Sequence, residues 1–159
     1  MPLNPVFDGR ELSAMLLTAL LLTAQTMTFP LGVVDIPEGC TAPAKVSMFV
    51  DGFISGIECG PNFRILLYGD LYMKDTCKGA PPRTRGARAA PDQVVTKGGI
   101  SLPVCVFKRK KSGSQKETEE TLVDLGSGYF SAEIRTPKHL SLLLGIARSF
   151  RPGEDGNAK

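Results

Sequence analysis

The sequence predicts an all-β sandwich of about seven strands. Three observations predict it: apolar residues recur with period two in short runs beyond Gly39, turn signals separate those runs, and four cysteines follow an apolar leader. The length of 159 residues corresponds to one domain. A hydrophobic content of 42% is too high for a disordered chain and ample for one core. The 17 Gly and 12 Pro are scattered, which excludes a collagen repeat. A single His makes a His-rich metal site or a His-triad hydrolase hard to build.

The N-terminal segment reads as an address. No charge occurs between Glu11 and Asp35, and Leu12–Ala24 is a 13-residue Leu/Ala/Thr run. That run has the length of a signal-peptide core and is short of the roughly 20 residues of a membrane span. With small residues around Ala24-Gln25-Thr26, residues 1–26 are expected to be a signal peptide and the protein secreted, extracellular or lysosomal. Two other readings stand beside it. Asp8-Gly9-Arg10-Glu11 is also a helix start signal, giving a packed helix to about Met27, and the apolar run is also a short uncleaved anchor. Met15 is an alternative start.

Cys40, Cys59, Cys77 and Cys105 all follow this segment. An even count in a small secreted domain predicts two disulfides, with three connectivities open. No CxxC pair occurs, so neither a zinc site nor a thioredoxin-like motif is expected.

The strands follow in order over a domain placed at 27–150. Val46, Met48 and Val50 alternate with polar neighbours or Phe49, and a further strand covers about Phe53–Glu58. Ile65, Leu67, Leu71 and Met73 share one face of the next. Lys78–Gln93, with three Pro and three Arg, reads as a long loop. Ile100, Leu102, Val104 and Val106 form another strand, with Pro103 marking an edge or bulge. Basic Lys108–Lys111 then faces acidic Lys116–Glu120 across a hairpin turn at Ser112–Ser114. Leu122–Leu125 is a short strand, Phe130, Ala132 and Ile134 another, and Leu140, Leu142, Leu144 and Ile146 alternate in the last, after a turn at Thr136-Pro137. Residues 151–159 are expected to be a disordered tail.

The net charge of +3 hides a division. Lys74–Lys111 holds ten basic residues against Asp75 and Asp92, +8 in all, which leaves −5 for the rest. Such a segment steers an acidic protein, a glycan or a lipid headgroup, or is a solvated surface. The run Lys108-Arg109-Lys110-Lys111 also has the form of a nuclear localisation signal, which conflicts with secretion. No G-x-S-x-G, P-loop, dinucleotide fingerprint or H-E-x-x-H is present, and His139 reads as a surface residue. The chain is therefore expected to be a binding protein rather than an enzyme, with no cofactor or metal.

The segment Leu102-Pro103-Val104-Cys105-Val106-Phe107-Lys108, a polar hairpin, Leu122-Val123-Asp124-Leu125, and Gly128-Tyr129-Phe130-Ser131-Ala132-Glu133-Ile134 resembles the C-terminal half of lipid-recognition domains of the MD-2-related and GM2 activator type. The resemblance covers Leu102–Ile146. It departs from the family in having no cysteine after Cys105. It implies an immunoglobulin-like sandwich holding a lipid or other hydrophobic ligand between its sheets, and the pairings Cys77–Cys105 and Cys40–Cys59. Phe53, Leu67, Leu71, Val104, Phe130, Leu142 and Leu144, bulky members of the alternating faces, are the candidate lining. Arg83, Arg85, Arg88, Lys108, Arg109, Lys110 and Lys111 would meet a headgroup or an acidic partner. Two other readings remain: an extracellular module docking an acidic protein or glycan through residues 74–111, and an OB-like nucleic-acid binder stacking bases on Tyr68, Tyr72 and Phe107. A stable membrane span is not expected.

Overall fold

A computed structural model describes residues 25–80, 90–110 and 113–154. The described residues are mostly β, with two antiparallel sheets and one α-helix. The small sheet contains β1 (Gln25–Phe29), β2 (Gly32–Ile36) and β11 (Arg151–Pro152), in the order β1-β2-β11. The large sheet contains β3 (Cys40–Thr41), β4 (Ser47–Phe49), β5 (Gly52–Cys59), β6 (Arg64–Asp70), β7 (Gln93–Val95), β8 (Ser101–Lys110), β9 (Glu117–Asp124) and β10 (Gly128–Glu133). Its order is β3-β5-β6-β10-β9-β8-β7, with β4 also on β5.

After β6 the chain crosses to the far edge, then returns by hairpins until β10 pairs with β6. Three hairpin-connected strands with a fourth laid beside the first make a Greek key, the connection common in sandwiches. β8 changes partner at the proline: Ser101–Pro103 pair with β7, and Val104–Lys110 pair with β9. The missing N–H of Pro103 thus falls just beyond the last β8–β9 pair, Val104 with Val123.

One face of the large sheet carries Phe53, Ile57, Ile65, Leu67, Val104, Val123 and Phe130, all buried. The small sheet covers it with Met27, Phe29, Val34 and Ile36. Phe29 sits at the centre, its ring 5.9 Å from each of Phe53, Phe130 and Phe150. Tilted and edge-on ring pairs of this kind add about 0.5–1.5 kcal/mol each beyond area burial. The tie from β2 to β11 is polar. Asp35 accepts from Arg151 Nη2 at 2.7 Å and Lys97 Nζ at 3.4 Å, and these cations hold its carboxyl below the ordinary range. Gly32 permits the close approach, since a Cβ there would overlap the Arg151 carbonyl, and its φ is +156°.

Three expectations are corrected. The segment expected as a last strand, including Leu140, Leu142, Leu144 and Ile146, is α1 (Pro137–Arg148). Leu140, Leu143, Leu144 and Ala147 also satisfy the i, i+3, i+4, i+7 template, so the Leu run fits both periods. The start signal decides: Thr136 caps the helix by accepting from His139 N at 3.2 Å, and Pro137 takes the first turn, where its missing N–H costs nothing. Leu143, Leu144, Ile146 and Ala147 are buried. Secondly, Arg151 and Pro152 form a sheet strand with Val33 and Gly32 instead of opening a disordered tail. Thirdly, β1 starts at Gln25, so a boundary after Thr26 falls inside a paired strand. The remainder of the leader lies outside the described residues.

Both disulfides join the expected pairs. Cys40 and Cys59 are directly opposite on β3 and β5 with Cα atoms 4.1 Å apart. Cys59 N donates to Phe63 O on the β6 side, so its other edge faces Cys40 without a ladder bond, the pair type in which side chains approach most closely. Cys77–Cys105 ties the 3₁₀ turn Thr76–Gly79 to β8, Cα to Cα 5.5 Å. Two disulfides fit an oxidising compartment.

Candidate functional site

The expected lining residues do not share one environment. Phe53, Leu67, Val104, Phe130 and Leu144 are buried in the core, where aromatic rings touch one another. Leu142 is half-buried on α1, because the segment is a helix. Leu71 is 76% exposed, because β6 ends at Asp70 and the alternation runs past the strand. Two grooves on the described surface have other linings.

The basic candidates divide as well. Arg83, Arg85, Arg88 and Lys111 lie outside the described residues. On the β8–β9 hairpin the basic arm faces the acidic arm as its sequence implied. Lys108 stands opposite Glu119 and Lys110 opposite Glu117, and Arg109 Nε is 2.7 Å from Glu120 Oε2. Lys97 is held by Asp35. Among the described basic residues of the segment, Lys97 and Arg109 are thus ion-paired within the fold and Lys108 and Lys110 stand opposite carboxylates, which lowers their pull on an acidic partner or a phosphate backbone.

The outer face of the large sheet shows a different feature. Phe49, Tyr68 and Tyr129 form a row across β4, β6 and β10, with ring centroids 5.8 Å and 5.6 Å apart. Tyr68 Oη donates to Asp70 Oδ2 at 3.0 Å, and this bond raises its phenol above the ordinary value. Burial, then the Glu120 charge, raises that of Tyr129. The rings stack on one another across strands, so the row first stabilises the sheet. Phe107 is half-buried on the same face of β8, opposite Glu120. His139, half-buried, stacks on Phe63 with centroids 4.0 Å apart and planes 8° from parallel.

At the Phe49 end of this row the surface becomes strongly apolar. The end of β4 and its turn into β5 expose Met48 by 65%, Phe49 by 43% and Val50 by 96%, and the exit of β6 exposes Leu71 by 76% and Tyr72 by 79%. The two turns are joined. Leu71 N donates to Asp51 O at 2.8 Å, and Tyr72 N to Asp70 Oδ1 at 2.8 Å. Five large apolar side chains therefore stand on two bonded turns at one end of one sheet. Single exposed apolar residues are ordinary, whereas a cluster on adjacent turns marks an interaction surface. Sequence reading missed this site because Met48, Val50 and Leu71 fit the alternating pattern of buried residues. The signal was in the turn: Val50 and Asp51 form the hairpin corner between Phe49 and Gly52, where an apolar residue has no core to face.

Protein-family models, curated proteins and solved structures offer no match to the chain. The site must be read from its own chemistry. Among the described residues no group of three or more His, Cys, Asp or Glu side chains is arranged to hold a metal ion. No described helix is long and apolar enough to cross a membrane.

Proposed function

We propose that the protein is a secreted, non-enzymatic binding module that engages lipid at a membrane surface through its apolar turns, rather than enclosing a ligand between its sheets. The observation that carries this reading is the cluster of Met48, Phe49, Val50, Leu71 and Tyr72 on two joined turns. Its shape favours a fluid partner. Side chains exposed by three-quarters or more protrude, and a protrusion needs a matching pocket in a protein but none in a bilayer interface. Tyr72 suits the headgroup level, with an apolar ring and a polar end. The charge nearby selects the lipid. Along the described chain around these turns, Lys74 and Lys78 are outnumbered by Asp51, Asp70 and Asp75, so these residues supply no net positive charge to draw the turns to anionic headgroups. The reading keeps the ligand class implied by the resemblance of Leu102–Ile146 and moves the contact to the rim.

Vesicle flotation tests it. The oxidised full chain is expected to float with phosphatidylcholine vesicles, and added phosphatidylserine is expected not to strengthen binding. Burying Val50 and Leu71 contributes roughly 1.5–3 kcal/mol each, so Val50→Asp with Leu71→Asp is expected to weaken flotation by more than about tenfold. Absence of flotation with either vesicle, or full flotation of the double variant, contradicts the proposal.

A further inference from the structure

A second surface, separate from the apolar turns, is built around a break in the edge of the large sheet. β5 has two short partners on its outer side. β4 pairs with Gly52–Ile54 and β3 with Glu58–Cys59. Between them Ser55, Gly56 and Ile57 pair on one side only, with β6. The direction of the backbone groups follows from the ladder. Cys59 N donates to Phe63 O, and Leu71 N donates to Asp51 O, so the odd-numbered residues of β5 bond toward β6. By alternation the N–H and C=O of Gly56 both point outward into the break.

A groove of about 460 Å³ lies there, lined by Thr41, Ala42, Pro43, Lys45, Ser47, Ile54, Ser55, Gly56, Glu58 and Arg64. One feature makes it more than a gap. Arg64 lies over Gly56, where any Cβ would overlap its guanidinium, and Arg64 Nε is held by Glu58 Oε1 at 3.0 Å. The absence of a side chain at position 56 thus leaves the edge amide open beneath a positioned cation. Lys45 brings a second cation to the rim.

We infer that this groove binds the C-terminal end of an extended peptide. A residue whose N–H and C=O both face outward exchanges two hydrogen bonds with one residue of an added antiparallel strand. The break spans three residues, about 10 Å at roughly 3.3 Å per residue. β3 and β4 close it at either end and their connection, residues 42–46, bounds its outer side, so a chain end fits where a through-going strand does not. The charge sets the polarity. Lys45 and Arg64 outnumber Glu58, which suits a terminal carboxylate, and Ala42, Pro43 and Ile54 offer contact to small apolar side chains.

The test is NMR titration of the ¹⁵N-labelled, oxidised full chain with N-acetyl-trialanine carrying a free carboxylate, and with its C-terminal amide. The free acid is expected to shift the Gly56 amide saturably and slow its hydrogen exchange, and the amide form to bind about tenfold more weakly, the difference a charge-assisted contact makes. Gly56→Val is expected to abolish the response read at Ile54 and Glu58. Lys45→Glu, an exposed change that leaves the fold intact, is expected to remove the preference for the free acid. An unmoved Gly56 amide at millimolar peptide, equal binding of the two peptides, or an undiminished preference in Lys45→Glu overturns the inference.

Discussion

The same kinds of side chain occupy two places in this molecule with opposite consequences. Phe29, Phe53, Phe130 and Phe150 meet inside, between the small sheet and the large one. Met48, Phe49, Val50, Leu71 and Tyr72 stand outside on two turns of the same large sheet. The inner set is withdrawn from water by folding and therefore contributes to stability. The outer set stays wet in the folded chain, so folding gains little from it and its burial remains available for binding. Apolar content alone does not separate a core from a site. What separates them is whether the strand continues far enough to turn the side chain inward.

Substitutions break the comparison in order of size. Phe130→Ala removes a fully buried ring and is expected to lower stability by about 3–5 kcal/mol, read from urea unfolding by circular dichroism. Replacing Cys77 and Cys105 together by Ser opens a loop of 28 residues and is expected to cost roughly 2–4 kcal/mol, seen as a lower melting temperature. Val50→Asp and Leu71→Asp are expected to change stability by less than about 0.5 kcal/mol while removing vesicle binding. A large loss of stability in that pair would place these residues with the core.

A smaller effect concerns acid. The Asp35 carboxyl is held below its ordinary value, first by its hydrogen bond from Arg151 and then by both nearby cations. A depressed folded value contributes stability above the unfolded carboxylate value, and that contribution disappears as pH falls through the folded value. Melting temperature is therefore expected to fall on acidification through and below the carboxylate range, and Asp35→Asn is expected to flatten that part of the curve. The side chain is partly solvated, so the change is a modest one.

The large sheet was readable from the sequence because β5, β6, β8 and β10 have one buried face, and burial on one face imposes period two. The charged hairpin was readable because opposite signs flank its turn. The helix was not, since Leu140–Ala147 suits both periods and only Thr136 capping His139 N separates them. The small sheet was hidden where an apolar leader runs into β1 and where a two-residue strand, β11, carries no periodicity at all. The exposed turns were hidden for a related reason. Alternation identifies which residues share a face, but it does not mark where the strand stops.

The central claim, that the apolar turns enter a lipid surface while the interior stays closed, has a direct measurement. The chain has no Trp, so Val50→Trp places a single indole on the most exposed of the turn residues. Its emission is expected to match a solvated indole in buffer and to shift to the blue on addition of phosphatidylcholine vesicles, with quenching by lipids brominated near the headgroup. Emission that stays at the solvated wavelength with vesicles present would contradict the account.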